Sequence, residues 1–167
     1  TQVRSESFLY DTIGRLSETD HPDATKIVYS YDAADNLATV KDETHTSANT
    51  TYAYDPLNRL SRVTQVLASA PVGPMSTQYG YDANGNLTSV TDPNGNVTTY
   101  LYDDFGRMLQ QTSPVTGTTV YAYDAAGNLT ASSDANSAST TRTYDALNRL
   151  LTAVSTNGSS ETVSYSY

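Results

Sequence analysis

Seven aspartates recur along the chain and are the residues with the most obvious capacity for chemistry. Each directly follows a tyrosine, and the set is Asp11, Asp32, Asp55, Asp82, Asp103, Asp124 and Asp145. Paired carboxylates can act as general acid and base, and clustered carboxylates can bind Ca²⁺. Because each aspartate belongs to a separate copy of a repeated motif, the spacing predicts seven separate turn acceptors and no acid pair.

The remaining candidates for chemistry are a calcium-like stretch and two histidines. An EF-hand loop needs Gly at position 6 and Glu at position 12, whereas a loop starting at Asp82 (82–86, DANGN) has Gly85 at position 4 and Pro93 at position 12. His21 and His45 lie in the variable stretches between motifs, where we expect solvated loops. The sequence therefore predicts no catalytic residue, no metal ligand, no cofactor and no enzyme activity.

The aspartates belong to a motif, Y-D-x-x-[G/N/D]-[R/N]-[L/M], that is written seven times. Start-to-start spacings are 21, 23, 27, 21, 21 and 21 residues, and Tyr167 begins an eighth copy. A period of 20 to 50 residues indicates a repeat architecture. The residues predicted to form the structural repeat motif are the seven aspartates with Tyr10, Tyr31, Tyr54, Tyr81, Tyr102, Tyr123 and Tyr144, and the glycines Gly14, Gly85, Gly106 and Gly127.

Each motif predicts a strand that ends in a hairpin turn. Alternating stretches such as 119–123 (TVYAY) precede the motif. An aromatic residue lies two positions before the motif tyrosine in every copy except that of Tyr144, where the residue is Arg142. The aspartate opens a type I turn, and the fourth turn residue is always Gly, Asn or Asp, the residue types that best tolerate positive φ. About 14 residues remain before the next motif, enough for a strand out, a second turn and a strand back; residues 92–95 (DPNG) predict one such second turn.

The predicted architecture is all-β: tandem antiparallel β-hairpin repeats that form a curled or spiralling sheet. Residues 1–167 are expected to be a single array of about seven hairpins and a piece of a longer chain, since the sequence starts at Thr1 rather than Met. The 27-residue repeat carries its extra length in a loop at 68–74. With two strands per repeat, each hairpin widens the sheet by about 10 Å, and a sheet so wide is expected to curl.

The residue after the fourth turn position alternates between arginine and asparagine without exception. The order is Arg15, Asn36, Arg59, Asn86, Arg107, Asn128 and Arg149. Duplication of hairpin pairs would explain it without any physical cause. Alternatively, the alternation separates the arginines and lets each guanidinium lie over neighbouring tyrosine rings.

Composition limits the possible partners. The net charge of −9, with scattered basic residues, disfavours nucleic acid, whose phosphates require clustered Lys and Arg. The chain contains no apolar run long enough to span a membrane and no cysteine. The Thr-, Ser- and Asn-rich, Lys-poor composition is typical of a bacterial protein that is secreted or displayed at the cell surface.

The 14 tyrosines replace a conventional aliphatic core, and three roles are open for the face that carries them. These roles are an inner packing surface, a stacking platform for sugar rings, and a cavity wall against a cargo chain. Buried tyrosine hydroxyls need hydrogen-bond partners, so a mixed polar and aromatic face is expected.

The recurring Y-D-x-x-G-[R/N]-L motif resembles the YD repeat, also called the RHS repeat, and the resemblance covers essentially the whole chain. Bacterial Rhs polymorphic toxins, wall-associated proteins, the B and C subunits of insecticidal toxin complexes and teneurins carry this repeat. The resemblance implies a β-sheet ribbon that spirals into a hollow shell. In the toxins the shell encloses a C-terminal effector, and in teneurins it supports adhesion. The sequence contains neither the family's autoproteolytic core segment nor a toxin tail.

We therefore expect a structural shell segment that encloses or presents a toxin effector. Its expected partners are its own or neighbouring repeats and an enclosed C-terminal toxin polypeptide. A first alternative is a self-assembling extracellular fibre or tube that associates through bare edge strands at Val3–Tyr10 and Thr162–Tyr167. A second is a cell-surface adhesion or carbohydrate-binding module.

Overall fold

The chain folds into antiparallel strands joined by short turns. The computed structural model describes residues 5–45, 49–66 and 73–167, and these contain fifteen strands and no helix. A membrane-spanning helix is accordingly not found in those ranges. The chain divides into two compact units, residues 1–79 and 80–167.

In the first unit each strand pairs with its neighbours in chain order. The strands are β1 Ser7–Tyr10, β2 Leu16–Asp20, β3 Lys26–Tyr31, β4 Leu37–Asp42, β5 Thr50–Tyr54, β6 Leu60–Gln65 and β7 Met75–Tyr81, the last ending just inside the second unit.

The second unit repeats the same antiparallel meander. Its strands are β8 Leu87–Thr91, β9 Val97–Tyr102, β10 Met108–Ser113, β11 Gly117–Tyr123, β12 Leu129–Ser133, β13 Ser139–Tyr144, β14 Leu150–Asn157 and β15 Ser159–Ser164. The predicted all-β class, built from tandem antiparallel hairpins, is confirmed.

Each motif forms the turn of one hairpin, which we call a tip turn. In the tip turn of residues 124–128, the Asp124 N–H donates to the Asn128 carbonyl at 3.0 Å and the Gly127 N–H donates to the Asp124 carbonyl at 3.1 Å. Tyr123 then pairs with Leu129, with a register shift just before it. This is the predicted type I turn that closes into a bulge.

The fourth residue of every tip turn has positive φ, as the sequence predicts. The values are 87° at Gly14, 65° at Asp35, 58° at Asn58, 90° at Gly85, 75° at Gly106, 91° at Gly127 and 60° at Asn148.

The opposite ends of the hairpins close in turns that we call return turns. The predicted return turn at Asp92 is present, with a φ of 84° at Gly95. Two others have the same backbone hydrogen bonds but place Ala24 and Ser137 at positive φ, 73° and 64°. Sequence reasoning missed both, because neither alanine nor serine signals a left-handed conformation.

The strands alternate in exposure, but the sheet has no dry core. In β3 and β9, exposed residues alternate with half-buried ones, and the tyrosines lie on the half-buried side. Among the described residues no hydrophobic residue is buried, and the buried ones are Thr19 and Thr50, which are 5% and 9% exposed. Hydrogen bonding and partial burial of rings, rather than an apolar interior, must therefore hold each unit together.

The predicted edge strands differ from those observed. The first strand begins at Ser7, and the predicted start at Val3 lies outside the described residues. The last begins earlier than predicted, at Ser159, because Gly158, with a φ of 76°, closes a tight turn after Asn157. It ends at Ser164, before Tyr165. Most of the predicted loop at 68–74 also lies outside the described residues.

Exchanging the residue types at the fourth position of two return turns should change stability in opposite directions. An L-residue in the left-handed region costs about 1–2 kcal/mol, which glycine avoids at an entropic cost of about 0.5–1 kcal/mol. We expect Ala24→Gly to raise the free energy of unfolding by about 1 kcal/mol and Gly95→Ala to lower it by a similar amount. A Cβ at position 95 would meet no atom within 4 Å. The loss of stability in Gly95→Ala therefore reports the cost of the backbone conformation alone. Urea denaturation measures both, and equal stability of the two variants would contradict the turn assignment.

Candidate functional site

The motif aspartate uses both carboxylate oxygens inside its own tip turn. At Asp124, Oδ1 accepts from the N–H groups of Ala126 at 3.0 Å and Asn128 at 2.8 Å. Oδ2 accepts from the Asn128 side-chain amide at 2.9 Å. The other six aspartates make the same three bonds to the residues two and four positions on.

This bonding pattern gives a physical reason why the fifth turn residue is either arginine or asparagine. Asparagine reaches Oδ2 with Nδ2, at 2.8–3.1 Å. Arginine reaches the same oxygen with Nε, at 2.6–2.7 Å. Both side chains place an N–H donor at the same point, so either one completes the turn.

These bonds favour the charged form of the aspartates and lower the pKa of every motif carboxyl. At Asp11 the largest cause is the backbone N–H of Arg15, and at Asp124 it is the side-chain amide of Asn128. At Asp103 desolvation acts in the opposite direction and is outweighed by the bonds from Arg107.

A carboxyl whose pKa is depressed in the folded state stabilises the fold at pH values above its unfolded-state pKa of about 3.9. The motif aspartates therefore contribute stability near neutral pH that is lost as the pH falls through their folded pKa values.

In the arginine repeats, the rest of the side chain reaches the next hairpin. The guanidinium carbon lies over the ring of the following motif tyrosine, at 4.4 Å for Arg15 on Tyr31 and 4.9 Å for Arg107 on Tyr123. Arg149 lies over Tyr167 in the same way, at 4.5 Å. These contacts are the stacking of guanidinium groups on neighbouring tyrosines that the sequence predicts, while the cause of the alternation itself stays a hypothesis.

In two asparagine repeats, the amide reaches the next hairpin instead. Asn36 Nδ2 donates to Asn58 Oδ1 at 3.2 Å, and Asn128 Nδ2 donates to Asn148 Oδ1 at 2.9 Å. Asn58 and Asn148 are the positive-φ residues of the following tip turns. The fifth turn residue thus joins its own aspartate to the neighbouring turn in both phases of the alternation.

The motif tyrosine makes a second link between hairpins through its hydroxyl. Tyr144 Oη donates to the Leu129 carbonyl at 2.9 Å, and Tyr123 Oη donates to the Met108 carbonyl at 3.0 Å. Three further tyrosines bond the corresponding carbonyl of the preceding hairpin: Tyr31, Tyr54 and Tyr167. These bonds explain why the position calls for tyrosine instead of phenylalanine, and they supply the polar partners expected on the aromatic face.

The structure arranges the predicted motif residues as successive tip turns and does not gather them into a catalytic or metal centre. In the described ranges there is no cluster of three or more metal-ligating side chains. Asp82, in the calcium-like stretch, accepts the same turn bonds, from the Asn84 N–H and from the N–H and side-chain amide of Asn86.

The two histidines are less solvated than expected. His21 lies 3.2 Å from a carboxylate oxygen of Glu6, and its side chain is about one-third exposed. His45 is half-buried beside Asp42, with Nδ1 2.6 Å from the carboxylate. Both histidines lie outside the strands, in the stretches between motifs where loops were expected, and each is partly shielded beside an acidic side chain.

Sequence reasoning also missed that the return turns reuse the aspartate bonding pattern. Asp92 accepts from the N–H groups of Asn94 and Asn96 and from the Asn96 amide. Asp134 accepts from the N–H groups of Asn136 and Ala138. The signal was present as D-P-N-G-N at 92–96, which is an asparagine-phase tip turn without its tyrosine.

Hairpins that close on an aspartate and are linked through tyrosine and arginine define the chain as a β-hairpin repeat protein. The family described as RHS Repeat matches residues 10–47, 31–70, 81–119 and 123–161. The chain therefore belongs to the RHS repeat family.

Two curated proteins share sequence with part of the chain. The tRNA3(Ser)-specific nuclease WapA of Bacillus spizizenii and the tRNA nuclease WapA of Bacillus subtilis are each 31% identical to it over 113 residues. The match covers 62% of this chain and 5% of each relative. The chain thus corresponds to a small segment of these much longer proteins.

Solved structures share the fold. A crystal structure of TcdB2–TccC3 superimposes with a TM-score of 0.72 at 20% identity, covering 94% of this chain and 9% of that one. A Photorhabdus luminescens Tc holotoxin pore gives a TM-score of 0.70 at 18% identity, with the same coverage.

Separating the two roles of Arg107 tests the link between hairpins. Arg107→Asn keeps a donor for Asp103 Oδ2, as Asn128 does for Asp124, but removes the guanidinium from the Tyr123 ring. We expect it to lower the free energy of unfolding by about 0.5–1 kcal/mol, the value of an exposed cation–π contact. Arg107→Leu loses both the bond to Asp103 and the contact with the Tyr123 ring, so it should lower the free energy of unfolding further.

The measurement is urea denaturation of both variants and the wild type. Equal losses for Arg107→Asn and Arg107→Leu would contradict the assignment of a separate turn-closing role to the fifth residue.

Proposed function

We propose that this chain is a segment of the β-sheet wall of an Rhs-type shell that encloses or presents a toxin effector polypeptide. Membership of the RHS repeat family and the fold shared with Tc toxin components support the structural role. The relatives named as nucleases are matched over only 5% of their length, so we assign their activity to other parts of those proteins. In this proposal residues 1–167 act as one array that is not itself an enzyme.

The observation that carries the proposal is the direction of the motif's polar groups. The carboxylate of each motif aspartate accepts from its own turn, and the tyrosine hydroxyls donate to the backbone of the preceding hairpin. These are the groups that would otherwise bind a substrate or a metal ion. A motif that directs them into the sheet builds a continuous hydrogen-bonded wall.

A wall role also accounts for the absence of full hydrophobic burial among the described residues. One layer of sheet cannot bury side chains from solvent on both of its faces. In a shell, one face would meet enclosed polypeptide and the other would meet solvent. The enclosed polypeptide is the partner we propose, and an extracellular or cell-surface location is the setting that fits a toxin.

The proposal is tested by limited proteolysis of the complete gene product that carries these repeats. We expect polypeptide outside the repeats to resist cleavage in the wild type. Tyr123→Ala combined with Tyr144→Ala removes two inter-hairpin links and should open the wall, so that this polypeptide is cleaved faster. The matched control is Leu101→Ala with Val120→Ala, which truncates exposed side chains and should leave protection unchanged.

Two results would contradict the proposal. One is cleavage outside the repeats at the same rate in the wild type and in the tyrosine variant. The other is glycan binding by the repeats that is lost in Tyr100→Ala with Tyr102→Ala, which would instead favour the adhesion module.

A further inference from the structure

Three asparagines of the chain are each followed by glycine, at positions 84–85, 94–95 and 157–158. The side-chain amide of an asparagine can be attacked by the backbone nitrogen of the next residue, and glycine hinders this attack least because it has no Cβ. The nitrogen loses its proton and bonds to Cγ while ammonia leaves, so that a cyclic succinimide forms. Water then opens the ring to aspartate or isoaspartate. Water is the only other reactant.

Exposure and backbone shape do not distinguish the three dipeptides. Asn84, Asn94 and Asn157 are all exposed, and the glycines that follow them have similar positive φ values of 90°, 84° and 76°. A Cβ built on any of these glycines would meet no atom within 4 Å, so each dipeptide is open to water. A difference in reactivity imposed by the fold must therefore come from hydrogen bonding.

In the tip turn at 82–86, the attacking nitrogen is already engaged. The Gly85 N–H donates to the Asp82 carbonyl at 3.2 Å, and that bond must break before the nitrogen can lose its proton. The N–H groups of Asn84 and Asn86 both donate to Asp82 Oδ1, at 2.9 and 2.8 Å. These bonds hold the backbone on both sides of the dipeptide and oppose the rotation that would bring the nitrogen to Cγ.

The return turn at 92–96 protects its dipeptide in the same way. The Gly95 N–H donates to the Asp92 carbonyl at 3.0 Å. The N–H groups of Asn94 and Asn96 donate to Asp92 Oδ1 at 2.9 and 2.8 Å. Both turns that close on an aspartate thus hold an Asn-Gly dipeptide in an unreactive conformation.

The third dipeptide lies in a turn without an aspartate. Asn157 forms the last pair of β14 and β15, with Ser159, and Gly158 alone connects the two strands. Within the described ranges the Gly158 N–H donates no hydrogen bond. Its nitrogen can therefore lose its proton and approach Asn157 Cγ without breaking a bond of its own.

We propose that Asn157 is a site of spontaneous modification, at which the folded chain converts asparagine to isoaspartate and aspartate, while Asn84 and Asn94 are protected by their aspartate turns. The aspartate turn then has a chemical role besides its structural one, because it shields a dipeptide that is reactive in an unstructured chain. The proposal concerns one hairpin and two turns of the second unit and does not depend on the proposed shell function.

The modification should affect only the end of the last hairpin. An isoaspartate carries the backbone through the side-chain carbon and lengthens the chain locally by one carbon atom. At position 157 this extra atom falls on the final pair of β14 and β15, and β15 is exposed along its whole length. We expect the pair of Thr156 with Ser160 and those beyond it to persist.

The test is incubation of the 167-residue chain at mildly alkaline pH, with peptide mapping by mass spectrometry to follow the loss of each asparagine. Every bond that must break lowers the population of the reactive conformation, and several together lower it by about tenfold or more. We therefore expect Asn157 to be lost about tenfold or more faster than Asn84 and Asn94. Enzymatic methylation specific for isoaspartate should label the wild type and give little label in Asn157→Gln.

The same chain unfolded in urea is the matched control. All three dipeptides should react there at similar rates, so that a difference seen only in the folded chain is due to the fold and not to neighbouring residues. Asp92→Ala removes the side-chain acceptor of the return turn. It should speed the loss of Asn94 towards the rate in urea and leave the rate at Asn157 unchanged, and circular dichroism should show that the variant remains folded.

Three outcomes would overturn the proposal. The first is equal loss of the three asparagines in the folded chain. The second is a rate at Asn157 that folding slows as much as it slows the rates at Asn84 and Asn94. The third is a folded Asp92→Ala variant in which Asn94 reacts as slowly as in the wild type, since the aspartate turn would then not be what protects it.

Discussion

An aspartate carboxylate has about four lone-pair positions, and each tip turn fills three of them from residues within four positions along the chain. Two backbone N–H groups on one oxygen fix the turn, and a side-chain donor on the other fixes the orientation of the fifth residue. The positive φ of the fourth residue, the bulge and the pairing of the motif tyrosine all follow from a turn held in this form. In a sheet without fully buried apolar side chains in its described parts, such local polar bonding has to supply what a core supplies elsewhere.

Neighbouring hairpins are joined by the same residues that close the turns. The arginine that completes one turn stacks on the tyrosine of the next, and that tyrosine donates to the carbonyl following the arginine. The asparagine repeats replace the stacking contact with an amide bond between turns. Each hairpin is therefore stabilised by contacts with the next one along the chain, as expected of a repeat protein with nearest-neighbour energetics. Because the two kinds of contact alternate, the repeating unit is a pair of hairpins.

The sequence was most informative where a residue type is demanded by the backbone. The tip turns, their left-handed fourth residues and the strands before them were predicted because Asp, Gly, Asn and alternating tyrosines each have a physical reason to be there. Ala24 and Ser137 could not be predicted, because nothing in their chemistry favours positive φ; hydrogen bonds around the turn impose it. The equivalence of Arg Nε and Asn Nδ2 and the inter-hairpin tyrosine bonds were missed for another reason. They depend on distances between side chains, which spacing along the chain does not give.

The central claim is that the ionised carboxylate, and not merely the shape of the side chain, holds the tip turn. Asp124→Asn tests it most directly, because asparagine keeps the shape and the Oδ1 acceptor but confronts the Asn128 amide with a second donor. Thermal unfolding of the wild type and this variant should be compared from pH 7 down to about pH 2, below the ordinary pKa of aspartate. The wild type should be more stable than the variant at pH 7, by a margin that shrinks as Asp124 becomes protonated. A difference that stays constant across the whole range, or no difference at pH 7, would contradict it.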